Sequence, residues 1–355
     1  MKSWFGRFFG GLVLAIACLA PAAPAFAQAS SLAIDEGQFV PVNGVEQWVT
    51  VRGSDPAKPV ILLLHGGPGF PMSFLAPLFA EWEKDFTIVQ WDQPATGATL
   101  LHNREGHVGP LTIDRYVRDG LAVAEWARER LGKDKIVLVG TSWGSLIGLE
   151  MIRQRPELFA AYVGTSQPVG AEGALVGYRM ALEAARTRND SAAIAELERI
   201  GPPPYERFED FMVRQQYSNA PGLPATPDET AAAAAMIHVM MNPDPTARYN
   251  APVTPPPGYD GGLMAAQQAT WRETWSWEAA PLGTRFEVPM LIVQGEVDIN
   301  TPTSVTRDWF GKVDAPTKAF EVVPGAGHAV ILFHAEVLEL LRKHVLPIVR
   351  ETPGT

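Results

Sequence analysis

Lys135-Ile136-Val137-Leu138-Val139-Gly140-Thr141-Ser142-Trp143-Gly144-Ser145 is the stretch on which the reading of this chain turns. Lys135 to Gly140 is an apolar run of the kind that forms a strand buried on both faces. Ser145 to Arg155 reads as a helix ended by Pro156. Between them Gly140-Thr141-Ser142-Trp143-Gly144 fits G-x-S-x-G. A serine on a tight strand-to-helix turn projects its hydroxyl, and small residues two before and two after let the backbones pass closely. The helix amino end also favours developing negative charge. Ser142 is therefore the candidate nucleophile; the alternative is a glycine-rich loop in which the serine is incidental.

The same rhythm extends outward on both sides. Gln38–Val42 and Glu46–Arg52 alternate around Asn43-Gly44, a strong hairpin signal. Val60–Leu64 and Phe86–Trp91 read as buried strands, with a helix expected over Ser73–Lys84. Thr112 can cap a long amphipathic helix through Leu131, with Val117, Leu121, Ala124 and Leu131 on one face. Ala160–Thr165, Met290–Gln294 and Lys318–Val323 are further strands, and Glu336–Val349 a last helix interrupted by Pro347. Strands alternating with helices predict an α/β fold, a mostly parallel sheet with helices on both faces.

Residues 167–285 break this rhythm. They hold Pro202-Pro203-Pro204, Pro255-Pro256-Pro257, the alanine run Ala231–Ala235, a helical pattern over Ala181–Ile200, and Trp271, Trp275 and Trp277 near the end. Sheet strands flank the tract, which predicts a helical cap inserted into one core rather than an independent domain. The expected organisation is a leader at 1–27, a first core segment at 28–166, the cap at 167–285 and a second core segment at 286–355. A single core seldom fills more than about 250–300 residues, so an accessory piece is expected in a chain of 355.

A serine hydroxyl needs a histidine to take its proton and an acid to orient that histidine. In a strand–turn–helix hydrolase they follow in the order serine, acid, histidine. Asp298, in Gly295-Glu296-Val297-Asp298, follows the strand Met290–Gln294; Glu296 competes for the role, while Asp308 and Asp314 fall on or after a helix. His328, in Gly325-Ala326-Gly327-His328, follows the last strand; His334 and His344 belong to the final helix and its approach. The oxyanion formed on attack needs two aimed donors. These are the backbone N–H of Trp143 and one from His65-Gly66-Gly67-Pro68-Gly69, from Gly67 or alternatively Gly66.

H-G-G-P-G at 65–69, Trp91-Asp92-Gln93, G-x-S-W-G-S at 140–145, G-x-x-D at 295–298 and G-x-G-H at 325–328 together resemble the proline iminopeptidase family of α/β-hydrolases. The match spans roughly Val60–Thr165 and Met290–Val349. The resemblance implies the α/β-hydrolase fold with a helical cap after the sixth strand. It also implies a Ser-His-Asp hydrolase releasing an amino-terminal residue, typically proline, with cap glutamates holding the free amine. Trp275-Ser276-Trp277-Glu278 loosely resembles a tryptophan-glutamate element of the family, making Glu278 a candidate amine-binding group. Glu172, Glu206 and Glu209 are weaker ones, and a surface glutamate is the plainer reading of Glu278. Where the family usually has arginine and glycine after W-D-Q, this chain has Pro94, Ala95 and Thr96 before Gly97.

Lys2 and Arg7, the apolar run Phe8–Ala20 and Ala25-Phe26-Ala27 compose a secretory signal peptide, with cleavage expected after Ala27 and a periplasmic or secreted destination. The run is shorter than the roughly 20 residues of a membrane span. Ala15-Ile16-Ala17-Cys18 lacks the leucine of a lipoprotein box, and Cys18, the one cysteine, falls within the leader. The net charge is −10 and no basic cluster stands out, which argues against a nucleic-acid partner. With 46% hydrophobic and 19% charged residues the chain is not of the disordered class. His102 and His107 lack a metal-site pattern, and Gly66-Gly67-Pro68-Gly69 lacks dinucleotide-fingerprint spacing, so no metal and no cofactor are expected. The expected partner is a small molecule or short peptide as substrate. The readings carried forward are an aminopeptidase, a carboxylesterase or lactonase on the same three residues, and a non-catalytic binding protein on the same scaffold.

Overall fold

The computed structural model describes residues 33–103, 109–218, 234–236, 238–239, 249–250 and 260–351. The expected leader at 1–27, His107, Pro255–Pro257 and most of the Ala231–Ala235 run lie outside the described residues. Eight strands form one sheet: β1 (Ile34–Val42), β2 (Val45–Gly53), β3 (Val60–Leu64), β4 (Thr87–Trp91), β5 (Ile136–Thr141), β6 (Phe159–Thr165), β7 (Met290–Gly295) and β8 (Lys318–Val323). Their order is β1-β2-β4-β3-β5-β6-β7-β8. The first two are antiparallel to their neighbours and the rest run parallel. The β1–β2 hairpin turns at Asn43 (φ 47°) and Gly44 (φ 85°), both left-handed as a two-residue I′ turn requires.

The inner strands are apolar throughout because both faces are covered. Val60, Leu62 and Leu64 of β3 face one layer with Leu138, while Ile61 and Leu63 face the other with Val137 and Val139. The first layer holds α2 (Ile113–Leu131) and α3 (Trp143–Gln154), the second the C-terminal α9 (His334–His344) and α10 (Leu346–Glu351). Thr112 caps α2 as expected, its hydroxyl accepting the Arg115 N–H at 3.1 Å, and left-handed Gly132 (φ 64°) closes the helix. A short α1 (Gly97–His102) precedes it, and α8 (Thr303–Gly311) links β7 to β8.

Three expected helices are divided. Ser73–Lys84 forms two 3₁₀ pieces, Ser73–Phe79 and Trp82–Lys84, parted at Ala80-Glu81; Pro77, inside the first, has no N–H for an α-helical bond to Ser73 O. Ala181–Ile200 belongs to two helices, α4 (Ala171–Thr187) and α5 (Ser191–Ile200). Asn189 (φ 56°) turns the chain between them, and Asp190 Oδ1 accepts the Ala193 N–H at 3.0 Å to start α5. Pro347 lies in the first turn of α10, where a missing N–H costs no helical bond.

Between β6 and β7 the described residues also include α6 (Phe208–Ser218) and α7 (Leu263–Ser276). Tyr178, Ala181, Ala185, Ala193 and Leu197 enclose Ile299, a residue of the loop after β7. Tyr205, Phe211, Met212 and Trp271 form a second cluster with Trp275 against it. Trp277 packs instead in the sheet's own core and donates its indole N–H to Glu150 Oε1 at 2.9 Å. These helices therefore sit on the carboxyl ends of the parallel strands, where an open α/β sheet places its ligand crevice.

Candidate active site

Ser142 directly follows β5, with φ 51° and ψ −117°, and is the N-cap of α3. A non-glycine residue there costs of order 1–3 kcal/mol, held by the surrounding packing. The flanking glycines are what permit it. A Cβ on Gly140 would stand 2.4 Å from Gly144 O, and one on Gly144 2.2 Å from Leu64 O. The turn is thus wedged against the end of β3, next to the glycine-rich loop.

Ser142 Oγ lies 2.9 Å from His328 Nε2. His328 Nδ1 lies 3.1 and 3.0 Å from Asp298 Oδ1 and Oδ2. Asp298 is 1% exposed, so its charge must be matched by donors. Oδ1 accepts the backbone N–H groups of Asn300 (2.8 Å) and Thr301 (2.9 Å), and Oδ2 accepts the Thr301 hydroxyl at 2.6 Å. Burial alone would raise this carboxyl. The neighbouring His328 and the hydrogen bonds from His328 and Thr301 outweigh it and hold the group below its ordinary value. A carboxylate so held fixes the proton on Nδ1 and leaves the Nε2 lone pair toward Ser142, the arrangement that can take the hydroxyl proton.

The oxyanion candidates converge at the same place. Gly67, Pro68, Ser142 and Trp143 all line one cleft. Gly67 has φ 117°, and a Cβ there would meet Gly69 N at 2.6 Å, so only glycine suits it. Gly66 packs on the elbow, with Thr141 O 3.1 Å from where its Cβ would stand. His65 is buried, which lowers its pKa to about 4 and keeps the ring neutral. Its Nδ1 donates to Gly66 O at 2.9 Å, and its Nε2 accepts the Gln93 N–H at 3.2 Å. Gln93 also donates to His65 O at 3.0 Å and accepts the Trp143 indole N–H at 3.1 Å. One glutamine therefore ties the glycine loop to the residue after Ser142. In the loop that lacks the expected arginine, Tyr116 OH donates to Pro94 O at 3.1 Å, and Asp92 Oδ2 accepts the Ala98 N–H at 2.9 Å.

The competing residues lie elsewhere. Glu296 is exposed and accepts the Gly325 N–H at 2.8 Å, bracing the loop that carries His328. His344 pairs with Glu321 at 2.6 Å, and the His334 carbonyl accepts the Trp82 indole N–H at 2.7 Å. Asp308 and Asp314 are exposed. His102 stacks on Phe39 and meets Glu46 at 2.9 Å, at the far edge of the sheet. Glu278 accepts the Ala171 N–H at 2.9 Å, capping α4, and Glu172, Glu206 and Glu209 are exposed. None of these four glutamates lines the cleft.

Among the described residues the cleft wall carries no Asp, Glu, Lys, Arg or His. Its polar groups are carboxamides and hydroxyls, notably Gln167, Gln215, Gln267, Asn300 and Thr270, set among Phe211, Trp271, Trp275 and Trp277. Asn300 was not singled out in the sequence, and Gln93 entered only as part of the W-D-Q motif. The available signal was proximity: each lies within two residues of an Asp in a quoted motif, in a loop that begins at a strand's carboxyl end. No group of three or more His, Cys, Asp or Glu able to hold a metal occurs among the described residues, nor is any helix there long and apolar enough to cross a membrane.

Comparison with known proteins agrees with this architecture. Residues 61–340 match the model of the "Alpha/beta hydrolase family". The chain is 24% identical over 289 residues to a protein named "Probable aminopeptidase YbaC" from Bacillus subtilis (strain 168), covering 81% of this chain and 88% of that one. It is 25% identical over 317 residues to a proline iminopeptidase of Lactobacillus delbrueckii subsp. lactis, covering 82% and 91%. A crystal structure of a proline iminopeptidase-related protein from Thermus thermophilus superposes with a TM-score of 0.57 at 20% identity, over 88% of this chain and 99% of that one. An esterase from Thermogutta terrifontis gives 0.51 at 18%, over 89% and 99%. With the family model spanning most of its length, the chain belongs to the alpha/beta hydrolase family.

Proposed function

We propose that the chain is a serine hydrolase that forms an acyl-enzyme on Ser142 and releases the amino-terminal residue, proline or a similar small one, from short peptides or amides. The observation that carries the reading is the chain of hydrogen bonds from Ser142 Oγ through His328 to buried Asp298. His328 takes the Ser142 proton as Oγ attacks the carbonyl carbon. The N–H groups of Trp143 and of Gly67, or alternatively Gly66, receive the oxyanion. His328 then protonates the departing amine, and afterwards activates the water that returns Ser142 to its free form. The aminopeptidase assignment draws support from the names of the relatives that cover four-fifths of the chain.

A second reading, a carboxylesterase or lactonase on the same three residues, is favoured by the uncharged cleft wall. A free ammonium is held best by a carboxylate, and only neutral acceptors face the cleft among the described residues. Hydrolysis of Pro-β-naphthylamide and of p-nitrophenyl acetate by the same preparation separates the two. Robust ester turnover with no amide turnover sinks the aminopeptidase reading. The leader is proposed to direct export with cleavage after Ala27; mass spectrometry of the exported protein then finds Gln28 as its first residue, and an intact Met1 contradicts it.

A further inference from the structure

His328 Nε2 has two donors in reach. Ser142 Oγ is 2.9 Å away, and Asn300 Nδ2 is 3.0 Å away. With the Nδ1 proton held by Asp298, Nε2 of the neutral ring offers a single lone pair. A hydroxyl and a carboxamide NH2 therefore compete for it. The position of Asn300 is fixed by the acid itself, since its backbone N–H is bound to Asp298 Oδ1 at 2.8 Å. Its side chain is partly exposed and lines the cleft beside Thr301 and Pro302.

We propose that Asn300 reads the acyl part of the substrate and couples that reading to the base. In the free enzyme its carboxamide shares His328 Nε2 with Ser142. An acyl group carrying a donor next to the carbonyl, an α-ammonium or α-hydroxy group, donates to Asn300 Oδ1 and draws the carboxamide off Nε2, which leaves the lone pair to Ser142. A plain alkyl ester offers nothing for Asn300 to bind, and the competition persists during attack. The proposal rests on acylation of Ser142 as set out above.

The physical basis is the asymmetry between the two forms of the ring. A donor at Nε2 favours neutral imidazole, whereas an acceptor favours the protonated ring. Among the described residues, the charged groups bonded to this unit and its turn are Asp298, on His328 Nδ1, and Arg214, whose guanidinium donates to Ile299 O at 3.2 Å. Thr301 Oγ1, 3.4 Å from Nδ1, is neutral, as is Ser166, whose hydroxyl donates to His328 O. None of these contacts is made by the Asn300 side chain, so its replacement removes none of them.

The test compares wild type with Asn300→Leu, which has similar volume and no donor, and Asn300→Asp, which puts an anionic acceptor in the same place. Two readouts are taken: the pH dependence of Ser142 labelling by a fluorophosphonate, and kcat/KM for Pro-β-naphthylamide against p-nitrophenyl butyrate. The acid limb of the labelling profile moves to higher pH in Asn300→Leu and further in Asn300→Asp. The preference for the α-amino substrate falls about tenfold in Asn300→Leu, the scale of one lost hydrogen bond. Melting temperatures check the fold, and Asn300→Asp, close in shape, carries the test if Asn300→Leu unfolds. Labelling with an unmoved acid limb, or an unchanged substrate preference, overturns the role of Asn300 alone. No labelling of the wild type overturns it together with the acyl-enzyme reading.

Discussion

At the scale of single residues, burial decides what each titratable group does. Asp298 is buried yet stays ionised because three donors from its own turn and the His328 ring surround it. Asp298→Asn keeps the shape but loses control of the tautomer, and steady-state kinetics are expected to show kcat lower by about 10³–10⁴-fold. The lowered pKa of Asp298 also adds stability that is complete above the unfolded carboxyl value of about 3.9 and is lost as pH falls through the folded value. His65 works by remaining neutral. Its folded pKa of about 4 lies below the unfolded value of about 6.5, so the unfolded chain binds the extra proton first. Its contribution is complete above about pH 6.5 and shrinks as pH falls toward 4. Urea unfolding should find the advantage of wild type over His65→Asn smaller at pH 4.5 than at pH 7 by about 2–3 kcal/mol, whereas a constant difference contradicts a neutral buried ring. Ser142, Asp298 and His328 were legible because each stands at the carboxyl end of a recognisable strand in the required chain order. Asn300 was not, since its role comes from where a two-residue turn aims its carboxamide.

Among the elements, the junction of β5, α3 and the end of β3 matters most. Gly144 packs against the carbonyls of Leu64 and His65, and a methyl group there would stand 2.2 and 2.7 Å from them. Gly144→Ala must shift backbone rather than a flexible side chain. Calorimetry is expected to show a loss of at least about 2–3 kcal/mol, with activity falling further as the elbow moves off His328. Retained stability and activity would mean the turn is looser than described. The G-x-S-x-G spacing foretold this element well, because close backbone passage leaves glycine at both flanks. The divided helices were less legible. The Asn189-Asp190 pair, which ends one helix and starts the next, acts through local backbone chemistry that an apolar periodicity passes over.

For the whole molecule, the alternating strands and helices foretold the parallel sheet, since a strand covered on both faces must be apolar along its length. The character of the cleft was not foretold. Among the described residues its wall comes from α3, α4, α6, α7, α8 and the loops after β3, β6 and β7, segments far apart in sequence that meet only through tertiary packing. Glu278 shows the consequence: a tryptophan-flanked glutamate suggested an amine receptor, and its carboxylate is engaged at the start of α4. Glu278→Gln is expected to cost about 0.5–1 kcal/mol in thermal unfolding, the worth of an anion at a helix amino end. It should leave kcat/KM for an α-amino substrate within about twofold, and a loss of tenfold or more would restore its role in holding the amine. All these readings depend on Ser142 being the residue that is acylated. The most direct test treats wild type and Ser142→Ala with a fluorophosphonate and maps the adduct by peptide mass spectrometry. The account predicts one adduct, on the peptide containing Ser142, and none in Ser142→Ala; an adduct on another residue, or equal labelling of both proteins, would contradict it.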